Sequence, residues 1–321
     1  LSLIFLAVLM PASELYKQVR VHSATSETMS ILQEAGLDID HSYQELGEWI
    51  EFAISEFHLS QLNDTALPYE IIHEDLQSFY ESRLYNIESR DFDYGSMGGY
   101  YTHDEIIEHI NELSTEYPEI VSEIEVIGES LEGRQLLAIK LSDNPNIDED
   151  EPEVLYTGLH HAREPMSYMN LFYYMYWLVE NYNVDDLATS IINNRELWFI
   201  PCVNPDGLVY NQSIAPNGGG MQRKNHRETC SNNNNSSNWD DIDLNRNYSY
   251  QWGYDNTGSS GDGCYQTYRG SNSFSEPETQ AVRDFVISHN FKAALFSSDE
   301  ILKPLQIPLK EQIVCINYTV H

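Results

Sequence analysis

The feature of the sequence that most constrains its fold is an alternation of short apolar segments with longer amphipathic ones between residues 102 and 296. EVLYTGL (153–159) and LWFIPCV (197–203) have the length and composition of buried strands, and the apolar segment 165–182 between them is long enough for a helix. Strands that alternate with helices are typical of an α/β domain. The sequence therefore predicts a mixed central sheet flanked by helices, with ligands bound beyond the carboxyl ends of its strands.

Local signals mark both ends of this domain. Thr102 and Glu105 have the spacing of a capping box, in which each side chain accepts a hydrogen bond from the backbone N–H of the other residue. Ser275 and Glu278 repeat that spacing before the last predicted helix, and a strand-like segment, FKAALF (291–296), follows it. Beyond that segment the sequence has no clear period, and we predict no element there.

A smaller set of strand and helix patterns precedes this region. VRVHS (19–23) and WIEFAIS (49–55) alternate like strands, and SETMSILQEAG (26–36) has apolar residues at helical spacing. A turn-rich segment separates this part from the larger domain. The predicted divisions are a signal-peptide remnant at 1–13, a small α+β domain at 14–88, a linker at 89–101, the larger domain at 102–296 and a tail at 297–321.

The chain opens on an apolar run, LSLIFLAVLMPAS, that ends in small residues. The run fits the hydrophobic part of a secretory signal and is too short to span a bilayer; a core helix is the alternative. We therefore expect a secreted or periplasmic protein with no membrane partner. Four cysteines allow disulfides in that compartment, and Cys230 and Cys264 flank a polar stretch that a bridge could close.

Charge limits the partners of the chain further. The sequence has 17 basic and 51 acidic residues, for a formal net charge of −34. A nucleic-acid surface or an anionic lipid surface requires a basic face, so both are excluded as expected partners. The acidic excess serves solubility, or in part binds cations. We expect a monomer.

A short motif after the predicted strand 153–159 carries the first chemical signal. His161 and Glu164 are three residues apart on a predicted turn, so both side chains can reach one cation. Zinc accepts a mixed set of nitrogen and oxygen ligands. On an extended chain, His160 points to the opposite face. Alone this pattern is weak, because two solvated side chains would give the same spacing.

Two further segments carry groups that suit a substrate with a carboxylate. Arg223 lies in a Gly-rich loop, and Asn245 and Arg246 lie together in DLNRN (243–247). Arginine pairs with carboxylates through two hydrogen bonds, and asparagine adds a neutral donor. Asp243 could orient a ligating histidine. Each of these residues could equally be a surface charge or a turn residue.

Taken in order along the chain, these motifs resemble one family. HARE (161–164), NPDG (204–207), RK (223–224), DLNRN (243–247) and QTYRG (266–270) form a series similar to that of the zinc carboxypeptidases of the carboxypeptidase A family, and DEDEPEVLYTGLHHARE (148–164) resembles its bacterial carboxypeptidase T type. The resemblance covers about residues 97–296. It implies a zinc-dependent hydrolase that removes residues from the C-termini of peptides and proteins.

The resemblance also implies roles for individual residues. His161 and Glu164 match two zinc ligands, and Asp243 matches the partner of the ligating histidine. Arg223 matches the residue that polarises the scissile carbonyl. The remaining matches are Asn245 and Arg246 as the clamp for the terminal carboxylate, Arg163 as an outer subsite, Cys230 and Cys264 as a disulfide, and residues 14–88 as a propeptide. We expect the metal and substrate residues to converge on one cleft.

Members of the carboxypeptidase T type also bind calcium, a hard cation that takes oxygen ligands. The alternative here is an ordinary acidic loop. The matching candidate ligands are Asp148, Glu149, Glu151, Glu153 and Glu196, with Tyr100 and Glu105 near the start of the domain.

The resemblance fails after residue 296. In the family, the strand like FKAALF leads to a His-Ser-Tyr turn whose histidine is the third zinc ligand, and Ser298 stands at that position here. The family's later tyrosine and its general-base glutamate have no match in the tail. Either a frame change interrupts the family sequence, or the chain is a non-catalytic relative. We therefore expect this chain to be inactive; the alternative functions are a module that binds peptide C-termini and a zinc deacylase of small amido acids.

Overall fold

The computed structural model describes residues 15–39, 42–83, 94–230, 241–296 and 303–304. The predicted signal remnant at 1–13, the first part of the predicted linker and nearly all of the tail lie outside these ranges. Two sheets are present in the described residues, one of four strands and one of six.

The first sheet is antiparallel and has the strand order β2-β3-β1-β4. Its strands are β1 (Tyr16–Val21), β2 (Tyr43–Glu45), β3 (Trp49–Ser55) and β4 (Tyr69–His73), and its helices are α1 (Ser26–Glu34), α2 (Glu56–Asp64) and α3 (Leu76–Arg83). The hydroxyl groups of Thr25 and Ser55 cap the first two helices. Val19, Ile50 and Leu32 lie in one buried cluster, so strands and helix share a core.

The second sheet has the order β10-β9-β7-β8-β6-β5 and mixes parallel and antiparallel pairs. Its strands are β5 (Glu125–Glu129), β6 (Gln135–Leu141), β7 (Glu153–Thr157), β8 (Glu196–Ile200), β9 (Ala293–Phe296) and β10 (Lys303–Pro304). Strand β7 pairs in parallel with β8 and β9, and β6 pairs antiparallel with β8 and β5. The predicted mixed sheet is thereby confirmed.

Helices cover both faces of this second sheet. They are α4 (His103–Glu116), α5 (Met166–Asn181), α6 (Asp186–Ile192), α7 (Pro205–Ile214) and α8 (Pro277–Ser288), together with a 3₁₀ helix at Leu244–Arg246. Along β8, Phe199 packs in a cluster with Phe172 of α5, whereas the adjacent Trp198 packs in another with Phe285 of α8. Successive strand residues point to opposite faces, which is why this central strand is buried on both sides. None of the described helices is long and apolar enough to cross a membrane.

Two local expectations had different outcomes. The capping box of Thr102 and Glu105 is present at the start of α4. The second capping box is wrong: α8 begins at Pro277, and Glu276 caps it without a side-chain bond. Glu278 instead accepts a hydrogen bond from the backbone N–H of Leu131, 3.0 Å away, because tertiary packing brings the β5–β6 turn to this carboxylate.

Candidate metal centre

A turn after β7 carries the candidate metal ligands to the carboxyl edge of the sheet. Leu159, the second residue after the strand, is fully buried and has φ of +54°. Non-glycine residues rarely adopt this left-handed conformation, and holding one there costs on the order of 1 kcal/mol. The hydroxyl of Ser167 supports the turn by accepting the N–H of Leu159 at 2.9 Å. The turn therefore redirects the chain just before His160 and His161.

His161 lies between two carboxylates. Its Nδ1 is 2.7 Å from Oε1 of Glu164, and its Nε2 is 3.0 Å from Oδ1 of Asp243. All three residues are buried. Both ring nitrogens face acceptors, so if Nε2–H donates to Asp243, a proton or a cation must lie between Nδ1 and Glu164.

Electrostatics favour positive charge at this point. Burial and the nearby Arg223 lower the pKa of His161, but Glu164 and Asp243 outweigh them and raise it above its usual value. Burial acts against the charged form of Asp243, yet Arg223 and His161 hold the pKa of that carboxyl at about 2. Asp243 therefore stays ionised and fixes the orientation of the imidazole.

Arg223 shares that carboxylate with the histidine. Its Nε and Nη2 donate to Oδ2 of Asp243 at 3.1 and 3.0 Å, and its Nη1 is 4.0 Å from Oε1 of Glu164. Burial disfavours the guanidinium charge, but Asp243 and other carboxylates raise its pKa. A permanent positive charge thus lies beside the candidate ligands.

Asn245 and Arg246, the predicted carboxylate clamp, follow Asp243 closely in the chain. The carboxylate of Asp243 accepts the backbone N–H of Asn245 at 3.0 Å, at the start of the 3₁₀ helix. Nε of Arg246 donates to the carbonyl of Gly258 at 2.6 Å. Burial lowers the pKa of Arg246, and the charge of Asp38 acts in the opposite direction. The structure therefore brings together the residues that the sequence motifs had singled out in separate segments.

The small domain contributes a residue to the same place. The carboxylate of Asp38 forms ion pairs with Arg163 and, at 2.9 Å, with Nη1 of Arg223. Nearby, Nε2 of Gln266 donates to the hydroxyl of Tyr16 at 2.7 Å. Sequence reasoning missed Asp38, because no local pattern distinguishes it from the other acidic residues of the chain.

The residues present fit part of a zinc site. His161 and Glu164 supply a nitrogen and an oxygen that face each other, and Asp243 holds the second ring nitrogen, as is usual for a metal-bound imidazole. Within the described ranges, no third histidine, cysteine or carboxylate completes a set with these two. Ser298 lies outside the described residues.

Acidic side chains form two clusters elsewhere on the larger domain. Asp148, Glu153 and Glu196 form one, and Asp143, Glu149 and Glu151 the other, each with ligand atoms within 4.8 Å of one another. Glu196 also accepts a hydrogen bond at 2.7 Å from the buried ammonium group of Lys140. Asp143, which is not among the predicted ligands, lies five residues before Asp148 in the sequence.

The second cluster contains buried carboxylate oxygens that have no hydrogen-bond partner, as does Glu153 of the first. Oδ1 of Asp143 and Oε2 of Glu151 are buried without a hydrogen-bond partner. Burial, followed by Glu149 and Asp143, raises the pKa of Glu151. Glu105, named with Tyr100 as a further candidate, belongs to neither cluster. Its carboxylate accepts the N–H groups of Ser96 and Thr102 at the start of α4.

A disulfide joins Cys230 and Cys264, whose Cα atoms are 5.0 Å apart. The buried Cys202 is a free thiol. The bridge ties the segment after Arg223 to the loop that contains Gln266.

Comparisons with known proteins agree on one family. A family model described as zinc carboxypeptidase matches residues 106–298. A zinc carboxypeptidase of Saccharothrix mutabilis subsp. capreolus is 35% identical over 167 residues, which cover 52% of this chain and 36% of that protein. Carboxypeptidase A4 of Mus musculus is 31% identical over 241 residues, which cover 73% of this chain and 53% of that protein. The chain therefore spans about half the length, or less, of these curated relatives.

Solved structures show a similar fold. The crystal structure of a carboxypeptidase A from Helicoverpa armigera superposes with a TM-score of 0.71 at 24% identity, covering 89% of this chain and 70% of that one. The crystal structure of thrombin activatable fibrinolysis inhibitor gives a TM-score of 0.64 at 24% identity, over 88% and 71% of the two chains. Both likenesses extend across the small domain as well as the larger one.

Proposed function

Because the zinc carboxypeptidase model matches more than half of it, this chain belongs to the zinc carboxypeptidase family, and we propose that its larger domain is built to hydrolyse the C-terminal peptide bond of peptides and proteins. One observation carries the proposal. His161 is held by Asp243 on one nitrogen and faces Glu164 with the other, while Arg223 lies beside both. This is an arrangement for a cation next to a fixed positive charge.

The residues of this centre would have three separate roles: metal binding, stabilisation of negative charge and substrate binding. His161 and Glu164 would hold zinc, which when bound polarises the scissile carbonyl and makes a water acidic. Arg223 would stabilise negative charge that develops on the carbonyl oxygen, because its guanidinium is buried and already oriented by Asp243. Asn245 and Arg246 would clamp the carboxylate of the substrate's last residue.

The small domain is proposed to act as a propeptide. Its Asp38 places a carboxylate on Arg163 and Arg223, where a substrate or its transition state would need those charges. While Asp38 stays there, Arg223 cannot turn its Nη1 to a substrate carbonyl. Removal of the small domain would therefore expose the site, and the protein would be made as a zymogen.

Calcium is proposed for the acidic clusters. The buried, unpartnered oxygens of Asp143 and Glu151 require a cation or a proton, and carboxylate oxygens are the ligands that calcium prefers. We further assign the protein to an extracytoplasmic compartment, as a monomer that meets peptide C-termini. The apolar leader-like segment and the Cys230–Cys264 disulfide support that assignment.

We expect the 321-residue chain itself to be inactive, because Ser298 occupies the position where the resemblance places the third zinc ligand. Two protein ligands leave two coordination positions to water and lower zinc affinity.

The test compares this chain with a version in which a His-Ser-Tyr continuation bearing the family's tyrosine and glutamate follows Phe296. After proteolytic removal of the small domain, only the extended version should bind zinc stoichiometrically and release C-terminal residues from a peptide. Tight zinc binding and peptidase activity in the unextended chain would show that the third ligand has been misplaced. Absence of both from the extended version as well would reject the proposed function.

A further inference from the structure

The loop of His161 and Glu164 and the segment of Arg223 both contribute to the candidate metal centre, but they do not pair as strands. Helix α7 contacts both of them. The loop of His161 and Glu164 meets the segment of Arg223 through a single backbone hydrogen bond, from Ala162 N–H to the carbonyl of Arg223 at 3.0 Å. Sequence analysis did not predict helix α7, although its first residues are the NPDG motif.

Asn211 on α7 connects these segments with its side chain. Its Nδ2 donates to the carbonyl of Ala162 at 2.9 Å and to the carbonyl of Gln222 at 3.0 Å, and its Oδ1 accepts the N–H of Gln222 at 2.8 Å. The side chain is buried. Ala162 lies between His161 and Glu164 in the chain, and Gln222 directly precedes Arg223.

Close packing surrounds this carboxamide. A Cβ at Gly220 would lie 2.5 Å from Oδ1 of Asn211, so only glycine leaves room there. A Cβ at Gly207 would lie 2.6 Å from the Cβ of Ala162 and 2.8 Å from the carbonyl oxygen of Lys224. The two glycines thus let the helix and both segments approach closely, and Asn211 fills the contact between them.

We propose that Asn211 is a positioning residue of the metal centre, whose carboxamide sets the distance between the His161–Glu164 loop and Arg223. The chemistry requires an amide, because one nitrogen must donate to two carbonyls while one oxygen accepts an N–H. An aspartate has the same shape, but it would face those two carbonyls with an acceptor. The inference rests on the proposed zinc site and adds a residue that never touches the metal.

The test uses the full chain that carries the His-Ser-Tyr continuation after Phe296. It measures zinc affinity by competition with a chromophoric chelator, and amide hydrogen exchange at Ala162 and Gln222. Asn211→Asp should weaken zinc binding by about 10- to 100-fold, the effect typical of groups that orient ligands. Exchange at the two amides should accelerate, while amides of β7 and β8 keep their protection.

Asn247→Asp is the matched control. Asn247 is also buried, and its Nδ2 donates to the carbonyls of Arg269 and Asn272 at 2.8 and 3.1 Å, away from the His161–Glu164 loop. It should lower thermal stability to a similar extent and leave zinc affinity unchanged. Gly220→Ala is the second variant, because it displaces the carboxamide of Asn211 without altering its chemistry. It should weaken zinc binding and accelerate exchange as predicted for Asn211→Asp, and it tests the proposal if Asn211→Asp does not fold.

The outcomes separate the two proposals. Zinc affinity and amide exchange unchanged in Asn211→Asp and Gly220→Ala, or an equal loss of affinity in Asn247→Asp, would overturn the role of Asn211. If the extended version without further substitutions binds no zinc, the metal site fails, and the exchange comparison still decides whether Asn211 positions the loop.

Discussion

At the scale of single residues, the candidate centre depends on carboxylates that each serve two partners. Asp243 accepts hydrogen bonds from His161 and from Arg223, and Asp38 pairs with Arg163 and Arg223. A buried charge is tolerated when it is paired and hydrogen-bonded in this way. The chain therefore holds a preorganised set of charges at the candidate metal centre.

Glu278 shows the opposite case, a buried carboxyl with too few partners. Burial raises its pKa to about 7, and its Oε2 has no hydrogen-bond partner. Because the pKa is higher in the folded chain than in the unfolded one, the stability that this group contributes is present below about pH 4.5 and is lost as pH rises through 7.

Glu278→Gln should remove that dependence. Relative to the unmodified chain, its free energy of unfolding should rise between pH 5 and pH 8 by on the order of 3 kcal/mol. Urea unfolding at the two pH values measures the change. Glu108→Gln, an exposed change on α4, is the control and should show no such rise. A parallel pH dependence of the Glu278 variant and the unmodified chain would contradict the expectation.

The acidic cluster of Asp143, Glu149 and Glu151 leads to a calcium prediction. Calcium should raise the melting temperature of the full chain, because binding to the folded state alone stabilises it. Glu151→Gln should raise stability without calcium, by relieving repulsion, and should abolish most of the calcium effect. Calorimetry with and without calcium tests this, with the exposed Glu180→Gln as control. If calcium raised the melting temperature of Glu151→Gln as much as that of the unmodified chain, this cluster would not be the calcium site.

At the scale of elements, α2 of the small domain brings a histidine towards the cations of the larger one. His58 is buried, and Nδ1 of its ring lies 2.8 Å from the hydroxyl of Ser55. Burial, then the charges of Lys224 and Arg163, lower its pKa to about 3, against the attraction of Asp38. The neutral imidazole is therefore the form that suits the docked domains.

Docking should weaken in acid. When the two domains are docked, the pKa of His58 is below its usual value of 6.5. The affinity of the domains for each other is therefore highest above pH 6.5 and falls as the pH decreases towards 3. By pH 5 the docking constant should fall by up to about 30-fold. Small-angle scattering at pH 7 and pH 5 measures domain separation. His58→Gln should stay docked at pH 5, whereas His22→Gln, exposed on the same domain, should separate like the unmodified chain.

At the scale of the whole molecule, the connection between the two domains decides how the site could be opened. Met97 and Tyr101 pack in the core of the larger domain, so the second half of the predicted linker belongs structurally to that domain. The ion pairs of Asp38 remain the contact that covers Arg223. Cleavage before Tyr94 would therefore leave the larger domain intact.

Limited proteolysis tests this arrangement. Trypsin should cut preferentially after Arg90, in the predicted linker, and leave two resistant fragments, because segments between packed domains are cleaved before the domains themselves. Asp38→Asn should make the fragments separate more readily after the cut, since it removes the carboxylate shared by Arg163 and Arg223. Cleavage throughout residues 14–88, with no resistant fragment, would count against an independent small domain.

The sequence by itself predicted what depends on neighbouring residues. Strand and helix periodicity identified the mixed sheet, the capping box placed the start of α4 at Thr102, and motif order indicated the family, which the comparisons confirmed. These signals are local, because side-chain alternation and helix capping act over a few residues. The leader, the domain boundaries and the roles of the individual site residues stay predictions.

Only the tertiary structure decided which distant residues meet. Asp38 and Arg163 are 125 positions apart, and Asn211 and Ala162 are 49 apart. Asn211 on α7 and Glu278 on α8 both form hydrogen bonds with backbone groups of remote segments. Neither bond could be predicted from the neighbouring sequence. Such contacts arise when buried polar groups must find partners after the core has packed, and no pattern of adjacent residues records that requirement.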